Sequence, residues 1–265
     1  YDKDSDDLKF SGKFNYETTD YFQHSKFLND NYDRFVKYIV TEDQKKVSPE
    51  FSYTVNDDDI ICFVRLGETC FGVFHQGKIF DLTYQLAGGS SSLKEAIHFG
   101  SIPDNIQELE SYLANVTAYE PADITFLPVI PDPGKIFCIG LNYEKHRKET
   151  ERPEVQYPTI FTRFAESQVA HREAVVKPTL SNRVDFEGEL AVVIGKGGKN
   201  ISSEEALQSI AGYTCYNDVS IRDYQRHTSQ FVPGKNFSKT GGCGPFLKLA
   251  SSIKNYQSLT IKTIL

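Results

Sequence analysis

The stretch VDFEGELAVVIGK, residues 184–196, combines a buried-strand pattern with three carboxylates. Residues 190–194 form an unbroken apolar run, which is typical of a strand covered on both faces. Asp185, Glu187 and Glu189 precede it at alternate positions. Because side chains two positions apart share one face of a strand, Glu187 and Glu189 are predicted to point the same way, with Asp185 at the outer end of the row.

Adjacent buried carboxylates repel each other, and burial raises their pKa values until one of them takes up a proton. A hard divalent cation removes this repulsion because it takes oxygen ligands. The alternative is an edge strand whose acids face solvent, the usual place of Asp and Glu. A second stretch, CYNDVSIRDYQ, favours the cation because it places Asp218 at a strand end, just before Arg222 and Gln225.

Composition limits the class of protein. The chain has 265 residues, with 39% hydrophobic and 25% charged residues, as in ordinary globular proteins. A net charge of −7 without a basic tract argues against nucleic acid and favours a small-molecule partner. Five scattered cysteines are expected to be reduced. With neither an apolar run for a membrane nor a signal peptide, we expect a cytoplasmic or mitochondrial-matrix protein with no membrane partner.

Changes in composition and hydrophobic pattern along the sequence predict three segments. Residues 1–57 form an acidic, tyrosine-rich extension of unknown role, and residues 58–130 form a small β-rich domain. Within that domain, Gln76 and Gly77 separate two apolar runs as a hairpin turn does, and residues 91–118 read as helical. Residues 131–265 then form the larger domain.

The larger domain is predicted to alternate strands with short helices. Ser202 and Glu205 have the capping-box spacing at the start of a helix that runs to residue 210. Strands are predicted in the segments KIFCIGLNY, YPTIFTRF, EAVVKP and GYTCY.

Four motifs carry a family resemblance. GLNYEKHRKE, VDFEGELAVVIGK, AGYTCYNDVSIRDYQ and GKNF followed by Gly244-Pro245 resemble, in order and spacing, those of the fumarylacetoacetate hydrolase superfamily. The resemblance covers about residues 135–247 and implies an α+β fold with the mixed β-roll of that family's C-terminal domain, preceded by a small β-rich N-terminal domain. It also implies a homodimer. Family members continue to a Gly-Thr-Pro turn, so the domain is expected to be truncated at its C-terminus.

The resemblance also implies roles for single residues. It assigns binding of Mg²⁺ or Mn²⁺, with Ca²⁺ as a third candidate, to Glu187, Glu189 and Asp218. Lys235 of GKNF corresponds to a lysine beside the developing negative charge, whereas by itself it would be read as a solvated surface lysine. Arg222 and Gln225 correspond to the substrate-binding pair, and arginine suits bidentate binding of a carboxylate.

His146 and Glu149 are the candidates for activating water. They are three residues apart, so on a helical turn they share one face and can hydrogen-bond. In family hydrolases such a pair works as a dyad in which the carboxylate orients the imidazole and the imidazole takes the proton. The alternative is a solvated, charged turn.

The leading hypothesis is a metal-dependent hydrolase that cleaves a C–C bond of a 2,4-dioxo acid, of acylpyruvate or fumarylacetoacetate type and including sugar-derived acids. A second reading keeps the metal and the 2-oxo acid but makes the chain a decarboxylase, hydratase or isomerase. The third reading is a non-catalytic relative that binds the cation without turnover.

Overall fold

The computed structural model describes residues 14–15, 59–65, 67–103, 106–143 and 157–263. The predicted extension over residues 1–57 lies outside them, apart from strand β1, Phe14–Asn15. Among the described residues, no helix has both the length and the apolar character to cross a membrane. All five cysteines are free, as predicted.

The first sheet has five antiparallel strands in the order β5-β4-β3-β2-β6. It is formed by β2 (Ile60–Arg65), β3 (Glu68–His75), β4 (Lys78–Asp81), β5 (Ala118–Tyr119) and β6 (Thr125–Phe126). The predicted hairpin turn is confirmed, since Gln76 and Gly77 join β3 to β4 with φ of 47° and 82°. Both faces of β2 are buried, with Ile60 and Cys62 in one core cluster and Ile61 and Phe63 in another.

The predicted helical stretch 91–118 divides into two helices, α1 (Leu93–Phe99) and α2 (Ile106–Leu113). Gly100 ends α1 because it adopts the left-handed conformation, and its N–H caps the carbonyls of Ala96 and Ile97. The prediction of one helical stretch to Ala118 is therefore wrong, and residue 118 begins β5.

The remaining strands form a second five-stranded sheet and small strand pairs. Within the described ranges, β7 (Ile136–Gly140) pairs with β8 (Thr159–Arg163) alone. Two further pairs join β10 (Val184–Asp185) to β13 (Ser220–Ile221) and β16 (Lys262–Thr263) to β1. The second sheet has the order β11-β12-β14-β9, with β15 also paired to β12. Its strands are β9 (Gln168–Val169), β11 (Gly188–Ile194), β12 (Ile210–Asp218), β14 (Gly241–Cys243) and β15 (Lys248–Leu249). The sheet is mixed because β14 runs parallel to β9.

Short helical turns connect these strands. They are α3 (Ser203–Ala206), α4 (Arg222–Gln225) and α5 (Val232–Lys235), with 3₁₀ turns at Ala165–Ser167, Leu207–Ser209, Ala250–Ser252 and Tyr256–Ser258. The predicted cap is confirmed, since the Ser202 hydroxyl accepts a hydrogen bond from the Glu205 N–H. The α-helix there is shorter than predicted, because the chain tightens into a 3₁₀ turn after Ala206.

Two strand predictions need correction. β11 is covered on one face only: Ala191 and Val193 pack against the core, whereas Val192 and Ile194 on the other face are exposed instead of buried. EAVVKP forms no strand. In that segment the Val176 N–H bonds to the Lys239 carbonyl, but Pro178 has no N–H to extend a ladder.

A shared core joins the two sheets. Ile60 and Leu247 exchange backbone hydrogen bonds of 3.0 and 2.8 Å, and both side chains are fully buried. Their cluster also contains Phe71 of the first sheet and Tyr216 of the second. Apolar burial therefore fixes the second sheet, which carries Glu189 and Asp218, against the first.

We predict that Leu247→Ala destabilises the protein by about 2–5 kcal/mol, because it leaves a cavity between the sheets. Urea unfolding of the variant and the parent chain measures the loss. Leu180→Ala, at a side chain that is 70% exposed, is the matched control and should cost less than about 0.5 kcal/mol. Equal losses for the two variants would contradict the shared core.

Candidate metal centre

The structure brings together the three acids that the sequence predicted as metal ligands. Glu187 immediately precedes β11, Glu189 lies in β11, and Asp218 is the last residue of β12. Backbone pairing sets them side by side, since the Asp218 N–H donates to the Glu187 carbonyl over 2.8 Å. One carboxylate oxygen from each residue lies within 4.8 Å of the other two. Their role as ligands remains a prediction.

Asp185 does not continue this row of acids. It belongs to β10, which pairs with a different strand, and its Oδ2 accepts from Arg222 Nε at 2.8 Å and forms an ion pair with Nη2 at 2.6 Å. Residues 186–187 separate β10 from β11, so Asp185 and Glu189 lie in strands with different partners. Asp185 thus holds Arg222 beside the centre.

Glu187 is paired with two cations. Its Oε1 lies 2.7 Å from Arg222 Nη1 and 3.0 Å from Lys235 Nζ, and it accepts a 2.7 Å hydrogen bond from the Ser220 hydroxyl. Burial by itself would raise the pKa of Glu187, but the charges of Arg222 and Lys235 outweigh it and lower the pKa to about 2. Glu187 is therefore ionised at neutral pH.

Lys235 is buried in the centre, with its side chain 1% exposed, so the reading of a solvated surface lysine is wrong. Its Nζ donates to Asp218 Oδ2 at 2.6 Å, to the Asp218 carbonyl at 3.2 Å and to Glu187 at 3.0 Å. The ammonium also lies 5.1 Å from the centroid of the Phe161 ring. All three of its protons have acceptors.

The other residues of GKNF hold this lysine in place. A Cβ on Gly234 would lie 2.4 Å from the Gln225 nitrogen, so only glycine lets α5 approach α4 this closely. The Asn236 amide accepts from the Phe164 N–H at 2.7 Å and donates to the Thr162 carbonyl at 3.0 Å. The motif therefore combines a close contact, a charged group and a tether to β8.

Arg163 is a member of the centre that the sequence reasoning missed. Its side chain is fully buried, and Nη1 donates to Asp218 Oδ1 over 2.6 Å. The guanidinium also donates to the Val219 carbonyl and to the hydroxyls of Thr240 and Ser167. The alternation of buried residues along β8 could have identified Arg163 as buried, because it lies two positions after the buried Phe161.

Glu189 is the one acid of the centre without a direct cationic partner among the described residues. Burial, then the charges of Asp218 and Glu187, raise its pKa to about 8. The connected ion pairs contain three other acids and the three cations Arg163, Arg222 and Lys235. An additional carboxylate beside two others is a donor set that fits a hard divalent cation, with Glu187, Glu189 and Asp218 as its ligands.

Four further residues were predicted to bind substrate or activate water. Arg222 and Gln225 meet in α4, where Nη1 donates to the Gln225 amide oxygen at 3.0 Å. Arg222 is also paired with acids, and its part in substrate binding remains a prediction. His146 and Glu149 lie outside the described residues.

A cavity of about 700 Å³ adjoins the centre at Glu189. Its walls include β7, the β11 face that carries Ala191 and Val193, and the loop before β7. Tyr143 of the GLNY motif lies at the Glu189 end, where its hydroxyl accepts from the Leu190 N–H at 3.3 Å. Burial raises the pKa of Tyr143, so the phenol is neutral beside the acids. The cavity gives Glu189 an approach for a small molecule.

Residues 135–265 match the family model described as "Fumarylacetoacetate (FAA) hydrolase C-terminal". The fold agrees, since a fumarylacetoacetate hydrolase from Exiguobacterium antarcticum superposes with a TM-score of 0.62 and 28% identity over 74% of this chain and 68% of that one. A maleylpyruvate hydrolase from Sphingobium sp. SYK-6 gives 0.59 at 20% identity, over 74% and 69% of the two chains. The chain belongs to the fumarylacetoacetate hydrolase superfamily.

Two curated relatives are named for another reaction. The human mitochondrial oxaloacetate tautomerase FAHD2A is 42% identical over 142 residues, which are 53% of this chain and 45% of the relative. The mitochondrial oxaloacetate tautomerase fahd2 of Xenopus laevis is 36% identical over 189 residues, 70% and 59% of the two chains. The chain thus spans about half the length of these relatives.

The raised pKa of Glu189 predicts how the stability of the metal-free protein depends on pH. Folding raises this pKa from an ordinary 4.5 to about 8, so between these values the folded state keeps a proton that the unfolded state has lost. The free energy of unfolding should therefore fall as the pH rises through this window. Glu187, whose pKa is lowered, contributes stability that is complete above pH 4.5 and is lost only below it.

Urea unfolding at several pH values in EDTA, for the parent chain and Glu189→Gln, isolates this contribution. The variant should show a smaller fall between pH 5 and 8, because the amide does not titrate. Glu204→Gln, at an exposed position of α3, is the control and should follow the parent. Parallel profiles for Glu189→Gln and the parent would refute the raised pKa.

Proposed function

We propose that this chain is the metal-binding part of an enzyme that acts on 2-oxo acids through an enolate, with the keto–enol tautomerisation of oxaloacetate as its reaction. The observation that carries the proposal is the convergence of Glu187, Glu189 and Asp218 within 4.8 Å, with the buried ammonium of Lys235 against two of them. Three oxygen donors beside an open cavity suit a cation that also binds a ligand.

Glu187, Glu189 and Asp218 would hold Mg²⁺ or Mn²⁺, with Ca²⁺ as a third candidate. A bound cation would supply Lewis-acid polarisation of the substrate carbonyl and offset the charge that develops on its oxygen. The acids fit this role because they are preorganised: Asp218 is held on one side by Arg163 and on the other by Lys235, both at 2.6 Å.

In the tautomerisation the C3–H bond breaks, a C2–C3 double bond forms, and the C2 oxygen gains the proton, so no water is consumed. The ammonium of Lys235 lies beside the acids, where positive charge would favour the enolate form of the substrate. Arg222 lies at the same centre, with two donors toward Asp185 and one toward Glu187, and we assign it with Gln225 to the substrate carboxylate. His146 and Glu149 are the candidates for moving the proton.

The names of relatives support one of the reactions that share the formation of an enolate. Tautomerisation leads because two relatives with 42% and 36% identity are named oxaloacetate tautomerases. Their names also carry the word mitochondrial, which supports the matrix over the cytoplasm for this chain. Homodimerisation, expected from the family resemblance, belongs to the same proposal.

Hydrolysis of a C–C bond in a 2,4-dioxo acid is the second candidate. The motif GLNYEKHRKE favours it, because His146 and Glu149 have the spacing of a water-activating pair. Of the similar solved structures, one is a fumarylacetoacetate hydrolase and another a maleylpyruvate hydrolase in complex with manganese(II) and pyruvate. Decarboxylation of oxaloacetate would use the same centre without an attacking water.

The first test is isothermal titration of metal-stripped protein with Mn²⁺ and Mg²⁺, with and without oxalate as a mimic of the chelating 2-oxo acid. We expect binding that oxalate strengthens. Glu187→Gln should weaken Mn²⁺ binding by at least about tenfold, because it removes a charged ligand. Glu204→Gln, which is remote from the centre, should bind like the parent.

Activity assays then separate the candidates. Conversion of enol-oxaloacetate to the keto form, followed by its ultraviolet absorbance, is expected for the tautomerase, while loss of acetylpyruvate with release of acetate identifies the hydrolase. Metal binding without turnover of either compound would support the hypothesis of a non-catalytic relative. Folded protein that binds neither cation would refute the proposed centre.

A further inference from the structure

The chain leaves β7 through a turn in which Leu141 has a left-handed backbone conformation. Its φ is 57°, and a bulky residue such as leucine rarely adopts positive φ because its Cβ crowds the backbone. Glycine stands one position earlier, so the turn does not use the residue that would adopt this conformation freely. Such an unfavourable conformation persists only where surrounding contacts hold it, and these positions are concentrated at functional sites.

Two residues after this turn, the side chain of Tyr143 reaches the edge of β11. Its hydroxyl accepts a hydrogen bond from the Leu190 N–H at 3.3 Å. Successive residues of an antiparallel strand point their N–H and C=O groups to opposite edges, so an N–H that bonds to Tyr143 points away from β12. The phenol thus occupies the outer edge of β11 at the position next to Glu189.

This hydrogen bond holds the peptide group that joins Glu189 to Leu190. The Glu189 carbonyl and the Leu190 N–H belong to one planar trans unit and point in opposite directions. The carbonyl therefore faces β12, where Glu189 is paired with Tyr216, while the N–H faces Tyr143. Because the unit is held from both sides, the Cα–Cβ bond of Glu189 has little freedom to turn.

Glu189 depends on its backbone more than the other two candidate ligands do. Asp218 and Glu187 are each paired with two cations, which fix the ends of their side chains. In the part of the chain that the structure describes, no cation pairs directly with the Glu189 carboxylate. The position of this carboxylate is therefore set by the backbone from which it projects.

We propose that Tyr143 is a positioning residue for Glu189, and that the left-handed turn at Leu141 places its phenol against β11. The assignment rests on the proposed function, in which Glu189 is one of three oxygen ligands of a divalent cation. Residues that hold metal ligands in the binding geometry contribute to metal affinity without touching the metal. Tyr143 therefore acts on the cation through Glu189.

Isothermal titration with Mn²⁺ in the presence of oxalate tests the role of the phenol. Tyr143→Phe should weaken Mn²⁺ binding about fivefold or more, because it removes only the hydroxyl that holds the Leu190 N–H. The electron paramagnetic resonance spectrum of bound Mn²⁺ should also change, because the geometry of its ligands changes. Tyr157→Phe, at a tyrosine that is 75% exposed, is the matched control and should bind Mn²⁺ within about twofold of the parent chain.

A double-mutant cycle separates positioning of Glu189 from a general loss of structure. In the Glu189→Ala background, Tyr143→Phe should change Mn²⁺ binding by less than about twofold, because the side chain on which it acts is gone. In the Glu204→Gln background, at an exposed position of α3, Tyr143→Phe should keep its full effect. Equal effects in the two backgrounds would show that Tyr143 acts on the fold as a whole, and would overturn the assignment.

Two substitutions at Leu141 separate backbone conformation from side-chain packing. Leu141→Asn gives up the apolar side chain but tolerates positive φ, so it should bind Mn²⁺ within about twofold of the parent chain. Leu141→Val keeps an apolar side chain but its branched Cβ opposes positive φ, so it should weaken Mn²⁺ binding as much as Tyr143→Phe does. The reverse order would show that Leu141 acts by packing and would refute the role of the turn.

The outcomes distinguish this role from the proposed function. If the parent chain binds Mn²⁺ with oxalate and Tyr143→Phe binds it equally well, the positioning role is overturned and the metal centre stands. If the parent chain binds no Mn²⁺, the proposed function is refuted and the positioning role falls with it.

Discussion

The polar centre depends on the carboxylate of Asp218, which is fully buried between two cations. Arg163 and Lys235 each approach it to 2.6 Å, from β8 and α5. A buried charge is costly unless it is paired, so these two contacts are needed to hold the carboxylate of Asp218 in the interior. They tie three separate parts of the chain to one point, and Glu187 and Glu189 are then placed by the pairing of β11 with β12.

The surrounding fold supplies rigidity that the ion pairs alone would not. Leu247 lies in the apolar core between the sheets and follows β14, whose Gly241 contacts the Tyr216–Arg163 pair. A shift of the first sheet would therefore reach the centre through packed side chains. One carboxylate of the centre, Glu189, has no direct cationic partner among the described residues. The acids of the centre therefore outnumber the cations paired with them, and this makes the site suitable for a metal cation.

Much of the centre could be predicted because its motifs are local. The alternation of Glu187 and Glu189 and the strand-end position of Asp218 follow from the period of a strand, and the structure brings the three together. Arg163 was missed because its role depends on a contact 55 residues away in sequence. The exposure of Val192 was missed because an apolar run does not reveal whether one face of a strand or both faces are covered.

The sequence by itself determined the elements and the residue types at their ends, because backbone periodicity, turn residues and capping act within a few residues. It thereby determined the acids, the GKNF lysine and the hairpin at Gln76–Gly77. Only the tertiary structure decided which charges meet and which pKa values rise or fall. The reason is that electrostatics and burial depend on distances between segments that the chain brings together only on folding.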